Sequence, residues 1–318
     1  MKNTQPEGSR LVRFARTMLE MPVFAPVRLW LWIRVARRDS LGSRRIAESN
    51  GYLPLDYNKT RLAPDASSNT LFLLGSGSSV TELSEEKLAT IGRNTSIGIN
   101  AWAVHPFVPS FYSFETGQDG DGPSDETTFV TSLVQRSHVA ASEPGFLFLR
   151  PTPPATPKNL VQPADELKSG SSMYGRANLV TQQARNLDRD IRRIVRASHR
   201  GKTPSNVLLD NGASIVRLMF LGGLQGFRRI VLVGIDLDSR PYFWDSPDYP
   251  YGNPGLSAVL TRPSGQLHNS LETVDRPFPV DQVIVALSKV LKSELGVEVN
   301  SGSSSSALAD RIPTYTWP

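Results

Sequence analysis

The chain contains no cysteine in its 318 residues. That absence excludes disulfide scaffolding, thiolate-held zinc, iron–sulfur clusters and a thiol nucleophile together, and it fits a reducing compartment. Histidine is nearly as scarce, with His105, His138, His199 and His268 only, and no two stand at helical i, i+4 spacing, so no metal site is assigned. Long apolar runs are also missing. The longest uncharged stretch of the arginine-rich front segment is Met21 to Val27, far short of the about twenty residues that span a bilayer. The layout of a signal peptide, a charged start followed by an apolar run and a small-residue cleavage site, is not visible either. There is no excess of acid: 35 basic residues face 30 acidic ones, and the 39% hydrophobic content is that of an ordinary globular chain.

What is present begins with arginine. Between Arg10 and Arg38 stand seven arginines (Arg10, Arg13, Arg16, Arg28, Arg34, Arg37 and Arg38) against the single acid Glu20. Leu11, Phe14, Met18, Leu19, Leu29, Ile33 and Val35 recur near helical spacing among them, and Pro22 and Pro26 are expected to break the segment into two helices. With Trp30 and Trp32 alongside, residues 1–45 read as basic amphipathic helices that lie either on an anionic membrane surface or against the domain or a partner. Nucleic acid is not expected, because no recognition motif accompanies the charge. The polar stretch from Ser40 onward, with Pro54 and Pro64, reads as an arm, placing a linker at 46–68.

The informative stretch follows. Leu71 to Leu74 form a buried-strand run that stops at Gly75-Ser76-Gly77-Ser78-Ser79, a glycine turn able to bring backbone N–H groups toward an anion. A second strand, Thr95 to Ile99, ends on Asn100, about twenty residues on, where a nicotinamide-binding fold carries an acid for the ribose. Asn100 is neutral and Val80 replaces the third glycine of the fingerprint, so the dinucleotide reading fails on two requirements. Ser84 followed by Glu85 and Glu86 predicts a capped helix start.

Ser110 to Glu115 and Phe146 to Leu149 read as further strands, and Arg176 to Arg196 as a charged helix. Asn211 to Asp238 predicts a buried helix stopped at Gly226 and a strand from Ile230 ending in Gly234-Ile235-Asp236. In open α/β sheets ligands sit beyond the carboxyl ends of the strands, so Gly75, Asn100 and Asp236 are expected at one crevice. The aromatic, irregular stretch around 237–270 reads as a lid with His268 at its far end. A helix over Asp281 to Leu295 and a strand over Gly296 to Val299 close the domain, before a flexible Ser-Gly-Ser-Ser-Ser-Ser run and a tail at 302–318.

Taken in order, LFLLGSGSSV, SIGINAW, SIVRLMFLGGLQGFRRIVLVGID and LHNS resemble the bacterial sialyltransferases of glycosyltransferase family 42. More distantly, they resemble the nonulosonate-transferase domain of flagellin-modifying proteins. The resemblance spans roughly Asn69 to Ser301 and implies an α/β fold with a Rossmann-like, mainly parallel sheet flanked by helices. This would be one nucleotide-binding domain at 69–301, a GT-A-like variant. It also implies an inverting transferase with no metal and no cofactor, using a CMP-sugar donor and a glycan or glycolipid acceptor. By motif position, Gly75, Ser76 and Gly77 would contact the donor phosphate and cytidine, and Asn100 and Ser214 the CMP moiety. Ser79, Ser113, Gly234 and Asp236 complete the implied donor-binding set, Tyr242 would meet the departing phosphate and His268 would be the general base. Ser76, Ser78 and Ile215 stand where the family has asparagine, proline and glycine, so the donor sugar is either a sialic-type nonulosonic acid or another CMP-activated sugar such as Kdo.

The reading therefore expects a bacterial enzyme of the cytoplasm, peripheral on the inner face of the cytoplasmic membrane, with homo-oligomers left open. Two alternatives stand beside it: a magnesium-dependent diphosphokinase of the pterin type, and a non-catalytic scaffold that keeps the fold.

Overall fold

The computed structural model describes residues 17–49, 51–59, 62, 69–115, 118–119, 122–123, 145–149, 171–250, 271 and 277–318. In chain order the elements are α1 (Ala25–Ser49), β1 (Leu53–Pro54), β2 (Thr70–Leu74), α2 (Glu85–Gly92), β3 (Thr95–Ile99), β4 (Phe111–Glu115), β5 (Gln118–Asp119), β6 (Gly122–Pro123), β7 (Gly145–Leu149), β8 (Ser171–Asn178), α3 (Ala184–His199), β9 (Val207–Asp210), α4 (Ser214–Leu224), β10 (Arg229–Val233), α5 (Val280–Leu295) and β11 (Glu298–Ser301). β5 and β6 form a separate antiparallel pair. The other nine strands make one sheet in the order β1-β8-β7-β4-β3-β2-β10-β11, with β9 also on β8, and every pairing in it is parallel.

A parallel sheet needs cover on both faces, and the strand sequences supply apolar residues to both. On β2, Leu71 and Leu73 join the core under α1, α3, α4 and α5, while Phe72 and Leu74 join a second core on the opposite face. All four side chains are fully buried, each worth about 1.5–3 kcal/mol relative to exposure. The second face is covered differently. α2, the short turns Asn100–Val104 and Phe243–Asp245, and the aromatic C-terminal residues Tyr315 and Trp317 pack there. α2 starts as its sequence predicts: the Ser84 side chain accepts from the Lys87 N–H, with Glu85 and Glu86 in the first turn.

The break expected at the prolines is present: residues 17–19 are helical, Pro22–Phe24 is a 3-10 turn, and Pro26 sits in the first turn of α1, where its missing N–H has no partner to lose. The structure corrects the sequence reading in three other places. Ser40 to Ser49 is the end of α1 rather than an arm, and the following stretch is tied into the fold through β1 on β8, with Leu55, Tyr57 and Leu62 buried. β8 occupies Ser171–Asn178, so the helical expectation over Arg176 to Arg196 holds only from Ala184. Finally, the serine run at Ser301 to Ser306 is not a flexible exit, because its side chains bond to Glu82 and the Ile235 carbonyl.

α1 is fixed to the domain by polar contacts as well. The Arg28 guanidinium, buried, pairs with both carboxylate oxygens of Asp190 on α3, at 2.5 and 2.9 Å, and the Trp32 indole donates to the Ala177 carbonyl on β8 at 3.1 Å. Glu20, just before the helix, accepts from Thr181 and Asn186 side chains and from the Gln182 N–H. No helix among the described residues is long and apolar enough to cross a membrane.

Candidate functional site

The chain leaves β2 toward β3 on one side and leaves β10 toward β11 on the other, so the order of connection reverses between these two neighbours. The crevice expected beyond the carboxyl ends of such strands is the usual ligand position in an open parallel sheet. Leu74 pairs with Val233 on one side and Gly98 on the other, which brings Gly75, Gly234 and Ile99 to the next rank along the sheet. At about 4.8 Å per strand, the rim from Gly234 through Gly75 and Ile99 to Ser113 is about 14 Å wide.

The two turns at the crevice are bonded to each other. The Gly75 N–H donates to the Val233 carbonyl at 2.7 Å and the Gly77 N–H to the Gly234 carbonyl at 2.8 Å. Glycine is required here by close approach: a Cβ on Gly75 or Gly77 would overlap the Gly234 carbonyl, and Gly234 itself turns with φ of 64°. The Asp236 carboxylate closes the arrangement. Its Oδ2 accepts from the Ser79 N–H at 2.8 Å and its Oδ1 from the Ser79 hydroxyl at 2.6 Å. Burial pushes this carboxyl above the ordinary aspartate range, and the two Ser79 hydrogen bonds and the Arg240 guanidinium 3.6 Å away pull it back. The next residue, Leu237, is buried with φ of 52°, a costly backbone for leucine.

These bonds change the role expected of the glycine turn. The N–H groups of Gly75, Gly77, Ser79 and Val80 all have partners within the protein, and the turn leads into a 3-10 turn, Ser78–Glu82, before α2 begins at Glu85. The turn is therefore organised around the Asp236 carboxylate, and those four amides are engaged within the protein rather than open as an anion cradle.

Gly75, Ser76, Gly77, Ser79, Gly234, Asp236 and Tyr242 come together. Tyr242 pairs with Gly77 as an isolated antiparallel bridge, the Phe243 N–H donates to the Ser76 carbonyl at 3.2 Å, and the Tyr242 ring stacks on Trp244 at 4.6 Å. Asn100 stands one residue beyond β3, half-buried, with φ of 50°. Ser113 shares the rank of Ile99, but its side chain is buried and within hydrogen-bond distance of the Tyr174 hydroxyl, 3.3 Å. Ser214 begins α4 after the distant strand β9, and its hydroxyl accepts from Arg217, which is paired in turn with Asp210 at 2.6 Å. These contacts engage the Ser113 and Ser214 hydroxyls within the fold. His268 and the far part of the 237–270 segment lie outside the described residues. The near part is packed rather than loose: Phe243, Trp244 and Tyr249 are buried, and Phe243 and Tyr249 lie against His105.

Sequence reasoning missed the supports of the crevice. Arg240 bonds Asp238 at 2.7 Å and the Ser305 carbonyl at 2.9 Å, Glu82 accepts from Ser303 at 2.6 Å and from the Ser305 hydroxyl, and the Ala307 N–H donates to the Asp236 carbonyl at 3.1 Å. Residues 236–240 are irregular rather than helical, so the i, i+4 spacing of Asp236 and Arg240 carried no helix-pair signal for these contacts.

No protein-family model and no curated protein matches the chain. Among solved structures it is similar to the monofunctional alpha-2,3-sialyltransferase Cst-I from Campylobacter jejuni, at 12% identity over 81% of this chain and 84% of that one, with a TM-score of 0.43. The sialyltransferase CST-II, solved with a trisaccharide acceptor and CMP, aligns at 11% identity over 78% of this chain and 86% of its own, TM-score 0.39. The Maf glycosyltransferase from Magnetospirillum magneticum AMB-1 aligns at 14% identity and TM-score 0.41 over 83% of this chain, which spans 36% of that longer protein.

Proposed function

We propose that this protein is an inverting glycosyltransferase that moves a nonulosonic acid, or another CMP-activated sugar such as Kdo, onto a hydroxyl of a bacterial surface glycan or its lipid-linked precursor. The observation that carries the reading is the switch point between β2 and β10, where three separate pieces of the motif pattern, Gly75–Ser79, Gly234–Asp236 and Tyr242, meet by hydrogen bond and bridge. In the proposed step His268 takes the proton of the acceptor hydroxyl as its oxygen bonds to the anomeric carbon. The bond from that carbon to the CMP phosphate oxygen breaks, and the Tyr242 hydroxyl meets the charge left on the phosphate. The step is assigned no metal and no cofactor. The same reading places the enzyme in the bacterial cytoplasm at the inner face of the membrane.

Calorimetric titration with CMP, UMP and ATP, with and without magnesium, tests the reading. CMP should bind in preference and without magnesium; a preference for ATP with magnesium overturns the reading in favour of the diphosphokinase. One observation favours a non-catalytic scaffold instead, namely the engagement of the turn amides by Asp236 and neighbouring carbonyls. Absence of binding by any nucleotide would select that reading. His268→Ala should abolish transfer and leave CMP affinity within about threefold, and unchanged turnover would remove His268 from the step.

A further inference from the structure

Among the described residues, every exposed large apolar side chain falls between Met21 and Leu53: Met21, Val23, Val27, Trp30, Val35, Leu41 and Leu53. Six of the seven lie on α1 or the turn before it, and they are well exposed, Val23 at 70%, Leu41 at 62% and Trp30 at 55%. Such residues scattered over a surface need no explanation, but their confinement to one element does. Positions 27, 30, 34, 37, 38, 41, 44 and 45 recur at spacings of three and four, so they share one side of the helix. Arg28, Trp32, Ala36, Ser40, Ser43 and Ala47 form the buried side against the domain. The outward side thus alternates Val27, Trp30 and Leu41 with Arg34, Arg37, Arg38, Arg44 and Arg45, and the Arg34 guanidinium lies 5.4 Å from the Trp30 ring centre. Of the two acids on α1, Asp39 is turned inward to accept from the Arg176 N–H, and only Glu48 is exposed.

We infer that this outward side of α1 docks the protein on an anionic lipid bilayer, with Val27, Trp30 and Leu41 entering the headgroup boundary and the five arginines meeting lipid phosphates. Charge decides the occupant. A second copy on a two-fold axis would set five arginines against five arginines. The chain's own residues 1–16 carry Lys2, Arg10, Arg13 and Arg16 against the one acid Glu7, and would repel the helix in the same way. An interface helix with tryptophan and arginine on one side fits headgroups and acyl chains together. The inference names the surface for the membrane placement proposed above and stands without the transfer step, since it uses no residue of the crevice.

The test is co-sedimentation of the full chain with vesicles of phosphatidylcholine alone and of phosphatidylcholine mixed with phosphatidylglycerol. Binding should appear only with the anionic vesicles and weaken as salt is raised. Trp30→Ser with Leu41→Ser, and separately Arg37→Gln with Arg38→Gln, Arg44→Gln and Arg45→Gln, should each cut the affinity on the order of tenfold or more. These exposed substitutions should leave the far-ultraviolet circular dichroism melt unchanged, and CMP binding measured on the same variants keeps this outcome separate from the function assigned above. Failure of the wild-type chain to bind anionic vesicles overturns the inference, as does binding that both variants retain. So does gel filtration showing a dimer that either variant turns into a monomer.

Discussion

Asn100 leaves β3 with φ of 50°, a conformation that glycine and asparagine accept and that costs most other residues about 1 kcal/mol or more. This separates its backbone role from its side-chain role. Asn100→Gly should keep the unfolding free energy within about half a kcal/mol and lower CMP affinity on the order of tenfold if the amide reads the nucleotide, whereas Asn100→Ala should also destabilise by about 1 kcal/mol. Equal CMP affinity in Asn100→Gly would take the amide out of the site. His105 makes a different kind of prediction. It is buried against Trp102, its Nδ1 accepts from the Phe107 N–H at 3.0 Å, and burial pushes its pKa down to about 4. The folded state therefore resists protonation where the unfolded chain, titrating near 6.5, accepts a proton. Stability contributed by the neutral ring is complete above about pH 6.5 and is lost as pH falls toward 4, by up to about 2–3 kcal/mol. In urea unfolding between pH 7 and 5, His105→Phe should show a shallower decline than the wild type; parallel slopes would mean that His105 does not titrate on unfolding.

At the scale of elements, the glycine turn and the Gly234–Asp236 turn behave as one unit joined through Ser79. Ser79→Ala removes one of two strong hydrogen bonds to a buried carboxylate and should cost about 1–3 kcal/mol near neutral pH. The Ser79 bonds favour the charged form of Asp236, so the loss should shrink in acid as that carboxyl protonates. Guanidinium melts of the two proteins at neutral and acid pH read the difference, and an equal loss at both would mean that Asp236 is not the partner that matters. Much of this unit was legible in advance. Leu71 to Leu74 and Thr95 to Ile99 are short apolar runs ended by glycine or asparagine, and the helix-to-strand block ending Gly234-Ile235-Asp236 keeps its periodicity. β8, with the sequence Ser-Ser-Met-Tyr-Gly-Arg-Ala-Asn, was not legible, because it carries no apolar run and no alternation and is a strand through pairing with β7, β1 and β9. The turn amides raise the same difficulty: glycine spacing predicts that N–H groups can converge, but not that Asp236 and two carbonyls from the neighbouring strand will take them.

Over the whole molecule, one face of the sheet lies under four helices, while the other is covered by α2, short turns and the C-terminal residues. The tail bridges the last residue of β11, the Ser301 N–H donating to the Pro313 carbonyl and the Tyr315 N–H to the Ser301 carbonyl, and so closes that end of the edge strand. Its last aromatic residues reach back over β2. Trp317 stacks on Phe72 with ring centres 5.8 Å apart, Tyr315 meets Phe72 edge-on, and the Trp317 indole donates to the Gly302 carbonyl at 3.0 Å. Earlier in the tail, the Ser306 hydroxyl and the Ala307 N–H hold the carbonyls of Ile235 and Asp236, which ties the cover to the turn that forms the crevice. Trp317→Ala should therefore destabilise by about 2–3 kcal/mol, less than a fully buried tryptophan because Trp317 is half-exposed. Trp317→Phe should recover most of that through the retained stack on Phe72. Urea unfolding at equilibrium provides the comparison. A loss below about 0.5 kcal/mol for Trp317→Ala would show that the tail contributes no more than an ordinary surface segment and that β2 is closed by other residues.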